Sequence, residues 1–195
     1  MADSNTDPTL RRTRSATTDT IRPDFALRGE HGLGIGKFQI LGPNVDGAFE
    51  LVVGYAPPAP GTQIEKKGLT FAWLAPDEWL VCGDEAQVAA AIDRLNRLGG
   101  DTVLALDLSH ARTAMTVSGR DARAALAAHC PLDLWDAIFP VGAVARSLLG
   151  DAGMFIARLP DDAKGPHFRI IVDQTMAGYA ARMLAGAGSQ TGVRP

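Results

Sequence analysis

The sequence predicts an α+β protein built from two similar halves, each with helices packed on antiparallel sheet. Three observations carry this. The chain has 195 residues, 46% apolar and 21% charged, the composition of a soluble chain able to bury a sizeable core. Long helical periodicity is confined to a few segments, separated by short apolar runs bounded by Gly, Pro and Asp, which read as strands and turns. Finally, "EWLVCGDEAQVAAAIDRL" (78–95) aligns without gaps on "HFRIIVDQTMAGYAARML" (167–184). In both, an aromatic-led strand meets an aspartate and then a helix. Upstream, "ILG" (40–42) matches "VSG" (117–119), and Gly61 matches Gly142. Duplicated units of this kind share a core between helices and sheet.

The elements follow in order. Residues 1–28 are polar, rich in Ser, Thr, Asp and Arg, and show no hydrophobic period. An arm over 1–30, disordered or extended over a partner, is expected, because such a segment buries too little apolar surface to offset ordering. The ordered domain is expected over 31–188, in halves of about 36–100 and 101–187, with a flexible end at 189–195. "KFQILG" reads as a strand ending at Gly42, and "GAFELVVG" (47–54) as either helix or strand. "LTFAWLAPDEWLVCG" (69–83) reads as two strands around a turn at 75–78. "DEAQVAAAIDRLNRLGG" (84–100) is the clearest helix. Val88, Ala91, Ile92 and Leu95 fall on one face, Asp84 is its expected N-cap, and two glycines end it. Residues 102–119 read as mostly strand, and 120–130 as a helix stopped by Pro131. Residues 131–142 read as irregular, 143–160 as two strands around Gly150, and 167–173 as a strand before a last helix.

Charge and cysteine usage exclude several classes. The net charge of −3 gives no basic field for nucleic acid or an anionic membrane surface. Cys82 and Cys130 form no C-x-x-C pair, so a structural zinc site is not indicated. Two buried thiols in a reducing compartment are expected. Without an apolar leader or a bilayer-length apolar run, the chain reads as cytoplasmic.

Each tempting catalytic motif fails on a named residue. "HGLGIGKF" (31–38) suggests a phosphate loop. A Walker-type loop needs Gly where His31 stands and Ser or Thr where Phe38 stands, and a dinucleotide loop needs Gly in place of Lys37. A flexible entry into the first strand is the better reading, leaving Lys37 free for a partner's acidic group. "DLSHAR" (107–112) offers Asp, Ser and His, but strand neighbours alternate faces and do not converge as a triad requires. His129 and Cys130 diverge by about 100° on a helix. The four histidines lack metal-ligand spacing. No catalytic, cofactor-binding or metal residues are therefore assigned. In the proline-bounded segment 131–142, Trp135, Ile138 and Phe139 would expose three large apolar groups unless something covers them. With Lys37, they are the interface candidates.

Taken together, "LAPDEWLV" (74–81), "DLSHART" (107–113), "CPLDL" (130–134) and "FPVG" (139–142), in this order and spacing, resemble the gamma subunits of heterotetrameric sarcosine oxidases, from about residue 35 to residue 186. The resemblance implies a fold similar to the folate-binding domain of glycine-cleavage T-protein. It also implies a non-catalytic subunit that helps assemble a flavoenzyme with alpha, beta and delta partners. In that family FAD, FMN, NAD, tetrahydrofolate and zinc belong to the other subunits. The complex converts sarcosine to glycine, with formaldehyde or 5,10-methylenetetrahydrofolate and hydrogen peroxide. Two alternatives stand beside it: a subunit of a related N-methyl amino acid dehydrogenase complex, and a stand-alone folate-binding protein.

Overall fold

In the computed structural model, residues 19–190 are described, with side chains through residue 187. The first half contains β1 (Thr20–Arg22), β2 (Phe25–Gly29), β3 (Leu33–Ile40), α1 (Val45–Val53), β4 (Gln63–Lys66), β5 (Leu69–Ala75), β6 (Glu78–Asp84) and α2 (Glu85–Gly99). The second contains β7 (Val103–Asp107), β8 (Arg112–Ser118), α3 (Ala122–Ala127), β9 (Val144–Leu149), β10 (Ala152–Asp162), β11 (Gly165–Asp173) and α4 (Ala177–Gln190). All strand pairs are antiparallel, in a five-stranded sheet β4-β5-β6-β3-β7 and a six-stranded sheet β1-β2-β8-β11-β10-β9. The predicted α+β class is the observed one.

Alternation along the strands sorts their side chains into three cores. Phe38, Phe71, Trp79 and Val81 face α1 and α2, where they meet Phe49, Val88, Ile92 and Leu95. Met115, Ile156, Phe168 and Ile170 face α3 and α4. Between the two sheets lie Ile35, Ala72, Leu80, Cys82, Ala114, Phe155 and Ile171. The layers are thus helices, sheet, sheet, helices.

The sheet orders reveal an exchange. β3, β4, β5 and β6 of the first half occupy the positions that β8, β9, β10 and β11 occupy in the second. Each half sends its leading strand to the other: β2 pairs with β8, and β7 pairs with β3. At the junction, Thr62 and Ala143 form a bridge. Gln63 N donates to Gly142 O (3.1 Å) and Val144 N to Gly61 O (2.8 Å), a reciprocal pair relating the two halves.

Two expectations are corrected here. Residues 20–30 are not an arm. They supply β1, β2 and Glu30, whose carboxylate takes two hydrogen bonds from Arg169 at 2.6 and 2.8 Å. Phe25, Ala26 and Leu27 are consecutive and buried because β2 is an inner strand, so the segment shows no polar–apolar alternation. The rest of the expected arm, 1–18, lies outside the described residues, as do 191–195. Residues 189 and 190 continue α4 rather than a flexible end.

"HGLGIGKF" is likewise no flexible entry. It is the body of β3, paired on both sides. Gly34 and Gly36 face α2. A Cβ at Gly34 would lie 2.8 Å from Glu85 Cα, and one at Gly36 would lie 2.7 Å from Ile92 Cδ1. These glycines let the helix approach the sheet. The ambiguous 47–54 segment resolves as helix. Asn44 caps α1 through its side chain to Gly47 N, Phe49 and Val52 are buried, and Gly54 ends it at φ 91°.

Candidate subunit interface

The loop at 131–142 joins α3 to β9, and its conformation follows from its own polar residues. The Asp133 carboxylate accepts from Trp135 N at 3.0 Å, turning the chain as Asx residues do. Ile138 N and Phe139 N both donate to Trp135 O, at 2.9 and 2.7 Å. The tight turn drives alternate side chains in opposite directions. Leu134 and Phe139 go down into the α3/α4 core, while Trp135 and Ile138 stand in solvent at 70% and 65% exposure; Val141, later in the loop, is 54% exposed. Phe139 therefore corrects the expectation of three presented apolar groups. It is 6% exposed and acts as a peg, because the protein's own core covers it.

Arginines brace the loop from beneath. Arg158 on β10 is 1% exposed. Its guanidinium donates to Leu159 O (2.6 Å), His167 O (3.2 Å), the Asp136 carboxylate (3.2 Å) and the Asp161 carboxylate, and it sits 5.1 Å from the Phe168 ring centre. Arg123 on α3 donates to Leu134 O at 2.9 Å and to the Asp136 carboxylate. It also lies 5.6 Å from the Trp135 ring centre. Partial desolvation raises the Asp136 carboxyl, but Arg158 and Arg123 outweigh it and hold the group below the usual carboxylate value. The backbone joins in: Gly142 N donates to Arg158 O (2.9 Å) and Arg158 N to Ala143 O (2.8 Å). Trp135 and Ile138 are thus held on a pre-formed surface, which lowers the ordering cost of association. The sequence signal for Arg158 was a lone cation in the buried run "MFIARLP", visible but silent about its partners.

The other singled-out residues fall elsewhere. Lys37 is not free: its Nζ lies 2.5 Å from Glu78 Oε1. Asp107, Ser109 and His110 sit where the chain crosses from one sheet to the other. The Asp107 carboxylate accepts from Ser109 N at 2.8 Å, and buried Ser109 Oγ accepts from Ile35 N at 3.0 Å. His110 points away, 3.8 Å from Glu85. The three shape a turn and do not converge. Cys82 and Cys130 are buried free thiols. Burial pushes the Cys82 thiol up to about 12, so it carries no nucleophilic thiolate near neutral pH. Among the described residues, no three His, Cys, Asp or Glu side chains come together to hold a metal. No helix among them is long and apolar enough to cross a membrane.

Comparison with known proteins places this geometry. One solved structure it resembles is the heterotetrameric sarcosine oxidase from Corynebacterium sp. U-96 in complex with pyrrole 2-carboxylate. The TM-score is 0.77 at 23% identity, covering 92% of this chain and 91% of that one. A second is the glycine cleavage system aminomethyltransferase T from Bartonella henselae, with a TM-score of 0.64 at 16% identity. It covers 86% of this chain and 47% of that one, so the resemblance spans about half of the transferase. Among curated proteins no sequence match is found. Residues 40–190 match the profile of the sarcosine oxidase gamma subunit family. That span includes the braced loop and most of both sheets, and the chain accordingly belongs to the sarcosine oxidase gamma subunit family.

Proposed function

We propose that this chain is a non-catalytic subunit of a heterotetrameric sarcosine oxidase and holds to its partners through the loop at 131–142. The observation that carries the reading is the exposure of Trp135 and Ile138 on a loop braced by buried Arg158. Large apolar side chains held rigidly in water are what a covered surface needs. Family membership and the shared fold supply the setting. The partners are alpha, beta and delta subunits, which hold FAD, FMN, NAD, tetrahydrofolate and zinc. The complex oxidatively demethylates sarcosine to glycine in the cytoplasm, a compartment that suits two free thiols.

The test is native mass spectrometry of the complex purified through a tagged copy of this chain. Recovery with flavin-bearing subunits is expected. Trp135→Ala should weaken association by about 2 kcal/mol or more and shift the unfolding of the full chain by about 0.5 kcal/mol or less. Equal losses in both would sink the interface role. A stand-alone folate-binding protein would instead stay monomeric and give binding heat with tetrahydrofolate in calorimetry.

A further inference from the structure

A cleft of about 520 Å3 opens along the contact between the two sheets. Leu74 and Leu80 line it from the five-stranded sheet, and Phe155 and Ile171 from the six-stranded one. Three cations also line it: Lys37, Arg112 and Arg146. Arg112 is paired with Asp173 at 2.9 Å. Lys37 and Arg146 share the carboxylate of Glu78, at 2.5 and 3.7 Å. The group thus carries one positive charge in excess, on a chain of net charge −3. The loosely held member is Arg146, beyond hydrogen-bond distance of Glu78 and 63% exposed.

Gly153 also lines the cleft. It has no positive φ, and a Cβ built there meets no atom within 4 Å, so neither backbone strain nor a clash within the chain requires glycine. Leu148, directly opposite Gly153 in the β9–β10 ladder, is 52% exposed. Leu106, directly opposite Lys37 in the β3–β7 ladder, is 45% exposed. Exposed apolar side chains therefore flank the cations, Leu148 in the cleft lining and Leu106 beside Lys37.

We propose that this cleft receives an acidic side chain, flanked by apolar residues, from an extended segment of another subunit of the complex. The proposal rests on the reading of this chain as a subunit. Charge selects the occupant: a carboxylate completes Arg146, which Glu78 serves only at a distance, and its apolar neighbours cover Leu106 and Leu148. A basic segment would face the surplus cation without compensation.

The tests use the full chain, alone and in the complex. Arg146→Glu should weaken retention of the partner subunits at least tenfold while leaving the melting temperature of the full chain within a few degrees. Added salt should weaken wild-type association more than that of Arg146→Gln. A thiol introduced by Gly153→Cys, with both native cysteines buried, should react with a maleimide in the free chain and at least tenfold more slowly in the complex. Equal labelling in both states overturns the proposal, as does protection without any effect of Arg146→Glu. Protection lost on dialysis of an intact complex points to a small carboxylate and also overturns it. If the wild-type chain retains no partner, the subunit reading fails and the cleft proposal with it. Retention of partners by wild type and both Arg146 variants alike removes the cleft alone.

Discussion

The two halves share one strand order but solve the same packing problem with different residues. In the first half, small residues lie on the strand: Gly34 and Gly36 admit Val88 and Ile92 of α2. In the second, the matching strand carries Thr113 and Met115, and small residues lie on the helix, as Ala177, Ala180 and Ala181 of α4. Phe38, Phe49, Phe71 and Trp79 form an aromatic cluster in the first core, with ring centres from 4.8 to 6.3 Å apart. Their counterparts are Val117, Leu126, Ile156 and Phe168. Where Trp73 N donates to Thr62 O in the first half, Arg158 N donates to Ala143 O in the second. The first half thus has an aromatic core, whereas the second has a buried cation and a longer loop that it holds outward. Duplication supplied the scaffold, and divergence at one strand position and one loop placed Trp135 and Ile138 on the second half.

The largest effect should come from filling the strand of the first half. Gly36→Val is expected to destabilise the chain by about 3 kcal/mol, as overpacking does, because the added carbons meet Ile92 and Val81. Thr113→Val in the second half is expected to be neutral or stabilising, since the Thr113 hydroxyl oxygen is buried without a partner among the described residues. Denaturant unfolding of the two variants checks the contrast, and equal costs would break it.

Next comes the braced loop. Arg158→Met should cost about 2 kcal/mol. That is less than a fully buried pair would lose, because Asp136 and Asp161 are 62% and 56% exposed and rehydrate. Hydrogen exchange should show the loss concentrated at 131–142. Loss spread evenly over both sheets would assign Arg158 to the core alone.

The helix caps test the likeness itself. Asp84 and Asp173 share φ −58° and ψ 140°; the Asp84 side chain accepts from Ala86 N and Gln87 N, and the Asp173 side chain from Thr175 N. Asp84→Ala and Asp173→Ala should each cost about 1 kcal/mol. A several-fold difference in thermal unfolding would show that the repeated geometry does not carry repeated energetics.

The smallest effect is acid sensitivity. Hydrogen bonds from the Thr175 hydroxyl and backbone, aided by Arg112, hold the Asp173 carboxyl below its usual value. Asp136 is held low by its two arginines against partial desolvation. Asp162 is lowered too: desolvation raises it, but the Lys164 and Gly165 N–H groups and the Ser118 hydroxyl prevail. A depressed carboxyl contributes stability that is complete above its unfolded value, about 4, and lost as pH falls through the folded one. All three lie in the second half. Hydrogen exchange there should therefore rise before that of the first half as pH drops below about 4, by a modest amount because these groups are largely exposed.

What the sequence determined by itself was local or repeated. The Asp84 cap, the apolar face of α2, the turn at 75–78 and the likeness of 78–95 to 167–184 were legible because each depends on neighbours in the chain. The ordered motifs that resemble the gamma subunit family were legible for the same reason. Tertiary structure alone decided the rest. β2 looked like part of a polar arm because its partner, β8, lies far along the chain, and its leading position matches that of β7 in the second half. The glycines of β3 looked like a phosphate loop until α2 was laid across them. Trp135 and Phe139 are aromatic neighbours that composition cannot separate. One turn, fixed by Asp133 and braced by Arg158, buried the second and left the first in water. Local interactions choose a helix or a turn from adjacent residues. Which face meets a sheet, and which side chain remains for a partner, follows from contacts between residues that are distant in sequence.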